Sequence, residues 1–204
     1  MELNIFCADL GSVARGNFGW FGRLTTGQSA SGTDMPKLAT AVSDRLNRGE
    51  VVALGFEAPM FVPFRDDPAR LTKRRNGETN PNWIGGPGSA VLATGLAQVP
   101  WILREMKSKM KVTGRPTLRW EVFAAGEANL LLWEAFVSGS AKGRDHVDDA
   151  RIAVNAFRKV LPNPVQKNAI SEPVVTCLVG AALLRTGWAS DVGLLAESCL
   201  VIKA

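Results

Sequence analysis

The chain has 204 residues and a mass of 21.9 kDa, with 46% hydrophobic and 21% charged residues, which are the proportions of a chain that builds a core and not of a disordered tail. Its longest apolar run, Val174 to Leu184, is well short of the roughly 18 to 20 residues that span a bilayer, and no basic segment precedes an apolar one at the start, so a soluble, cytoplasmic chain with no membrane partner is expected. The 24 Lys and Arg against 19 Asp and Glu give a net charge of +5 and a pI near 9.4, a modest excess that permits a polyanionic partner.

Cys7, Cys177 and Cys199 are odd in number, far apart and never in a CxxC pair, so neither a disulfide framework nor a zinc knuckle is encoded and each reads as a small buried hydrophobe. One histidine, His146, makes His-based metal sites and Ser/His/Asp or Cys/His catalysis poor candidates. Any chemistry in this chain therefore falls mostly on carboxylates.

In chain order, Leu3 to Ala8 is an apolar run of strand formers closed by Asp9 and Gly11, which predicts a buried strand ending in a turn. Phe18 to Leu24 follows closely enough to be its antiparallel partner. Asp34 and Pro36 open an amphipathic helix with Leu38, Val42 and Leu46 about one turn apart, closed by Gly49. Val51 to Phe56 is a second buried strand, delivering Glu57 at its end. From Phe61 to Gly88 no period holds, which predicts a long loop. Ser89 to Met110 predicts a helix that Pro100 kinks or splits. Thr117 to Phe123 is a third strand candidate containing Glu121, and Asn129 to Val137 fits helix or strand equally. His146 to Leu161 predicts an amphipathic helix ended by Pro162-Asn163-Pro164, Ser171 an N-cap for a buried helix through Leu184, and Leu194 to Ile202 a last strand. With no repeat or linker, the order predicts one α/β domain over residues 1–204, helices on both faces of the sheet, and a basic loop inserted at about 58–88.

Asp9 and Glu57 stand out because both lie at the ends of apolar strands, where open α/β sheets place their ligands. Two carboxylates brought together there repel, and a divalent cation with oxygen ligands, Mg²⁺ or Mn²⁺, is the natural compensation. The alternative is that each caps a neighbouring helix or turn.

Cys7-Ala8-Asp9-Leu10-Gly11-Ser12 resembles the first-strand Asp-x-Gly-Ser/Thr turn of ribonuclease H-like proteins, and Gly55-Phe56-Glu57-Ala58-Pro59 resembles their later acidic strand end. With Gly19-Trp20 on the second strand and Glu121-Val122-Phe123 later, the set is similar to an uncharacterised family of predicted ribonuclease H-like nucleases. The resemblance implies a ribonuclease H-like mixed sheet, with an antiparallel meander at its start, a parallel centre and flanking helices. It also implies a metal-dependent phosphodiesterase, a hydrolase in which two Mg²⁺ or Mn²⁺ ions about 4 Å apart act on an in-line displacement. One acid comes from the first strand, one from the central strand and one from the last helix. The first two carry over to Asp9 and Glu57. The family's third is an aspartate in an Asp-Ala setting, where this chain has Ser171-Glu172-Pro173, so Glu172 is the positional candidate. Asp148 and Asp149, followed by Ala150, match the wording better on the preceding helix, and Glu121 is a further alternative. An acid at Glu172 also suits a helix's first turn without any catalytic role.

The long loop carries Arg65, Arg70, Lys73, Arg74 and Arg75, then Asn76, Asn80, Asn82 and Trp83. Arginines grip phosphate oxygens and a neighbouring Trp stacks a base, so this loop is the candidate contact for a nucleic acid or nucleotide beside the acids. A solvated basic loop, partly offset by Asp66, Asp67 and Glu78, explains the same residues. Gly85-Gly86-Pro87-Gly88-Ser89 reads as a turn and helix cap. A non-catalytic nucleic-acid or phospholigand binder on the same fold is the main alternative. An actin-like phosphotransfer domain, which shares the Asp-x-Gly-Ser/Thr turn, needs two such domains where this length suits one. Monomer and homodimer are equally open.

Overall fold

The alternation of side chains along two adjacent strands sets the architecture. In β1 (Asn4–Asp9) Ile5, Cys7 and Asp9 face one side of the sheet while Phe6 and Ala8 face the other; in β4 (Val52–Glu57) Ala53, Gly55 and Glu57 share the side of Asp9. The computed structural model describes residues 3–78 and 82–204. β1 pairs antiparallel with β2 (Gly19–Arg23), which pairs antiparallel with β3 (Ser29–Gly32). On its other side β1 runs parallel to β4, and β4 runs parallel to β7 (Leu130–Phe136). The far edge of β7 is shared by two short parallel strands, β6 (Pro116–Thr117) against Leu130 and Leu131 and β9 (Leu200–Lys203) against Trp133 to Phe136. The chain is thus α/β with a mixed sheet, antiparallel at its start and parallel at its centre. A separate antiparallel ribbon joins β5 (Phe61–Pro63) to β8 (Val175–Cys177).

Helices cover both faces. α1 (Met35–Asn47) is capped by Asp34, which accepts from Lys37 N at 2.9 Å, and buries Leu38, Val42 and Leu46 as their spacing predicts. With α2 (Gly86–Lys109) and α5 (Leu178–Arg185) it packs on Phe6, Ala8, Leu54, Phe56, Leu130 and Leu132. On the opposite face α3 (Trp120–Ala124) and α4 (His146–Val160) pack on Ile5, Cys7, Ala53, Leu131, Trp133 and Ala135. Full burial of an apolar side chain such as Val154 or Phe157 of α4 stabilises by roughly 1.5–3 kcal/mol, which fixes α4 firmly on β1 and β2. The three cysteines are buried and free.

Five expectations are narrowed or changed. Pro100 lies inside α2 without splitting it, because Val99, Ile102, Leu103 and Met106 bury on both sides of the lost backbone bond. Thr117 to Phe123 is not a strand: Thr117 Oγ1 accepts from Arg119 N at 3.1 Å after two strand residues, and α3 follows, with Glu121 exposed in its first turn. Ser171 caps no helix; the apolar run divides into β8 and α5, whose cap is Cys177 Sγ accepting from Gly180 N at 3.2 Å. The loop begins later than expected, because Phe61 to Pro63 forms β5, and of Leu194 to Ile202 only the end from Leu200 is extended, after a 3₁₀ turn at Val192–Ala196. Short apolar runs do not announce whether they pair or coil. Among the described residues no helix is long and apolar enough to cross a membrane.

Candidate metal centre

Asp9 and Glu57 are partners in the parallel register of β1 and β4, at the carboxyl ends of both strands and on the face that α4 covers. α4 supplies the third acid, Asp149. Ligand oxygens of Asp9, Glu57 and Asp149 lie within 4.8 Å of one another, a group that can hold a metal ion. All three are deeply placed, with side chains 6%, 11% and 6% exposed.

The approach of α4 depends on Gly19, which is the register partner of Asp9 on β2. A Cβ there would stand 2.4 Å from His146 C and from Val147 N, so only glycine lets the first turn of α4 rest on the strand. That contact brings His146 Nδ1 to 2.5 Å from Asp9 Oδ2. Asp145 caps the helix by accepting from Asp148 N at 2.8 Å, and Asp149, one turn after His146, accepts from Gly143 N at 2.6 Å. Lys142 Nζ donates to Asp149 Oδ2 at 2.9 Å and to Glu57 Oε1 at 3.3 Å. Glu57 Oε2 is buried and finds no hydrogen-bond partner among the described residues.

Burial pushes the Glu57 carboxyl well above the usual carboxylate range, Asp9 beside it pushes it further, and Lys142 recovers only part of the rise. Burial also raises Asp9, while the adjoining Glu57 carboxyl and Lys142 pull it down. For Lys142, burial opposes the charge, but Glu57 first, then Asp149 and Asp9, more than offset it and hold the ammonium protonated. The centre thus has an excess of negative charge that its own cation does not neutralise. A cleft opens in front of it, with Asp9, Glu57, Lys142 and His146 on one side and Gly88 and Val91 of α2 on the other.

Glu172 is elsewhere. Its Oε1 accepts from Arg65 Nη2 at 3.0 Å and from Asn76 N at 2.6 Å, so the third acid of the centre is Asp149 and Glu172 anchors the loop. Asp148 faces away, accepting from Arg151 Nε at 2.9 Å and from Arg144 N at 3.1 Å, and the Arg151 bond holds its pKa below the ordinary value.

The basic residues divide into two kinds. Arg65 organises the loop from within, donating to Arg70 O, Lys73 O and Arg74 O at 2.9, 3.1 and 3.0 Å. Arg75 is buried beneath it and donates to both oxygens of Glu134 at 2.7 and 2.8 Å and to Glu78 Oε1 at 2.9 Å. Neither is free to grip a phosphate. Trp83 donates its indole N–H to Lys73 O at 3.0 Å, which ties the ring to the loop. Arg70, Lys73 and Arg74 remain exposed. Asn80 lies outside the described residues. The Gly85-Ser89 segment is a turn and cap, with Gly85 N donating to Asn82 Oδ1 at 2.7 Å as α2 begins.

Sequence reasoning passed over Lys142 and His146. For His146 a signal was present: it stands three residues before Asp149, which puts both on one face of a helix. Lys142 precedes the helix and carries no such mark. Comparison of the chain with family models, with curated proteins and with solved structures gave no match to any of them.

Proposed function

We propose that this protein is a metal-dependent phosphodiesterase acting on nucleic acid, built on a ribonuclease H-like fold. The observation that carries the reading is the buried trio Asp9, Glu57 and Asp149, under-neutralised and with Glu57 Oε2 unpartnered among the described residues. All-oxygen donors suit a hard divalent cation, Mg²⁺ or Mn²⁺. The placement supports the family reading, since one acid comes from the first strand of an antiparallel meander, one from the central parallel strand and one from a helix laid on both. It is α4, one helix earlier than Glu172 would require.

A divalent cation held there supplies Lewis-acid charge to phosphoryl oxygens as negative charge develops on them. The chain's own residues do the rest. His146 fixes the rotamer of Asp9, Gly143 N fixes that of Asp149, and the α2 side of the cleft limits the approach of the substrate. Arg70, Lys73 and Arg74 offer exposed positive charge on the loop that follows Glu57 and β5.

The test is cleavage of single- and double-stranded DNA and RNA by the purified protein with Mn²⁺, with Ca²⁺ and with chelator. Cleavage is expected with Mn²⁺ alone, and Asp9→Asn and Glu57→Gln are each expected to abolish it while leaving thermal unfolding cooperative. Unchanged cleavage in both variants would overturn the reading. Salt-sensitive, metal-independent binding without cleavage would favour a binder on the same fold.

A further inference from the structure

We propose that Lys142 is a resident cation of the carboxylate centre: it fills the position between Glu57 and Asp149, so the centre takes one divalent ion, on Asp9 and Glu57, and not two. The inference rests on the metal-centre reading above and fixes its stoichiometry.

The argument is an account of oxygens. Asp149 has both of its oxygens engaged, Oδ1 by Gly143 N at 2.6 Å and Oδ2 by Lys142 Nζ at 2.9 Å. Glu57 gives Oε1 to the same ammonium at 3.3 Å and keeps Oε2 without a partner among the described residues. Asp9 gives Oδ2 to His146 and, among the described residues, forms no ion pair with Lys142, whose two bonds go to Glu57 and Asp149. One of the two carboxylate junctions is therefore bridged by a positive charge and the other is not.

Lys142 is also built in at its root. Gly143 N is held by Asp149, Arg144 N by Asp148 Oδ2 at 3.1 Å, and Asp148 N by Asp145 Oδ1 at 2.8 Å, so the backbone beside the lysine is folded onto the first turn of α4. The turn thus sets the lysine's backbone beside the acids, and the ion pairs with Glu57 and Asp149 hold its ammonium there. Three carboxylates and one ammonium leave two negative charges when all ionise, which one divalent ion balances. A lysine gives point charge without coordination geometry, which suits a role facing phosphate oxygens.

The test is Mn²⁺ titration of the purified protein by calorimetry, with the electron paramagnetic resonance spectrum of the loaded protein as a second readout. The wild type is expected to bind one equivalent and to give the hyperfine pattern of an isolated Mn²⁺. Lys142→Met is expected to bind two equivalents, and Lys142→Arg one. Two equivalents in the wild type, or the spectrum of a spin-coupled pair such as ions about 4 Å apart give, would overturn the proposal while leaving the metal centre intact. One equivalent in Lys142→Met would also overturn it. If that variant does not fold, the wild-type spectrum decides. Absence of any Mn²⁺ binding by the wild type would overturn the metal-centre reading itself, a failure distinct from that of the stoichiometry.

Discussion

Two buried groups of carboxylates sit at the same end of the sheet, on opposite faces, and they are solved in opposite ways. Glu134 is the register partner of Phe56, so its side chain leaves β7 on the α2 face, whereas Glu57, one residue further along β4, leaves on the α4 face. Around Glu134 each oxygen has a donor: Arg75 bonds both, and Met60 N adds a third bond at 2.8 Å. Glu78 is bound by Arg75 Nε, Nη2 and N and by Trp83 N. In the Asp9 group three acids share one lysine and a histidine, and an oxygen is left over. A buried carboxylate whose hydrogen bonds are complete holds structure, and one left short of positive charge keeps a proton or can take a cation. Sequence alone cannot separate the two: Glu57 ends the apolar run of β4 and Glu134 interrupts that of β7, and neither run shows which donors reach its acid.

The largest effect should come from breaking the satisfied group. Arg75→Met strips the cation from Glu134 and Glu78, both within the core, and should cost about 3–5 kcal/mol in urea unfolding, the usual result of leaving a buried charge unpaired. Because the same arginine bonds Phe61 O at 3.2 Å, the β5–β8 ribbon should loosen with it. A loss under about 1 kcal/mol would mean that the network is incidental, and the contrast drawn here would fail.

Next is the support of the unsatisfied group. His146→Ala removes the bond to Asp9 Oδ2 and should weaken Mn²⁺ binding by about 10- to 100-fold, the range for partners that orient a metal ligand. Asn in its place, which keeps a donor, should recover part of the affinity. Gly19→Ala should reproduce the loss without removing a polar side chain, because the added Cβ must lift the first turn of α4. Full affinity in both His146→Ala and Gly19→Ala would show that the helix end does not position Asp9.

How far these two groups could be read from the sequence follows from what each needed. The strand ends that deliver Asp9 and Glu57 are local patterns of apolar runs, and the β2 partner, α1 and α4 are equally local; all appear where the sequence places them, whereas β3, which completes the meander, carries no such pattern. Asp149 was one of several acids that fitted the third place, and only the docking of α4 through Gly19 singles it out. Glu172 went astray because the Val174 to Leu184 run breaks into β8 and α5, and pairing with the distant β5 is a tertiary event with no local signature. The loop cations failed likewise. Arg65 and Arg75 read as surface charge, yet each lies near acids more than 50 residues away in sequence, Glu172 and Glu134, and is consumed by them. A long-range ion pair has no period to betray it.

A smaller effect has the opposite sign from that of Arg75. Glu57→Gln removes a carboxylate that burial and Asp9 hold above its ordinary range, so the metal-free variant should melt about 3 °C above the wild type near pH 8. The sign follows from proton counting. Between the ordinary carboxylate range near 4.3 and its raised value, the folded chain keeps a proton that the unfolded chain has released. Wild-type stability contributed by this site therefore falls as pH rises through that window, and the gap to Glu57→Gln should widen with pH. Saturating Mn²⁺ should reverse the order, stabilising the wild type and not the variant. Equal melting of the two proteins from pH 5 to pH 8 would remove the electrostatic excess on which the contrast depends.

The smallest change in stability should attend the three loop cations that the fold leaves exposed. Arg70→Gln, Lys73→Gln and Arg74→Gln should each shift stability by under about 0.5 kcal/mol, since among the described residues no core or ion-pair network depends on those side chains as it does on Arg65 and Arg75. Their effect belongs instead to the partner. If the loop meets a nucleic-acid backbone, each substitution should lower the slope of log affinity against log salt by about 0.9 for a duplex or about 0.7 for a single strand, and the triple variant by roughly three times that. Glu172→Gln supplies the control from the same loop: it weakens the anchor on Arg65 without removing a positive charge, so it should loosen the loop and leave the salt slope nearly unchanged. An unchanged slope in the triple variant would reduce these residues to a solvated face, and would confine recognition to the cleft between α4 and α2.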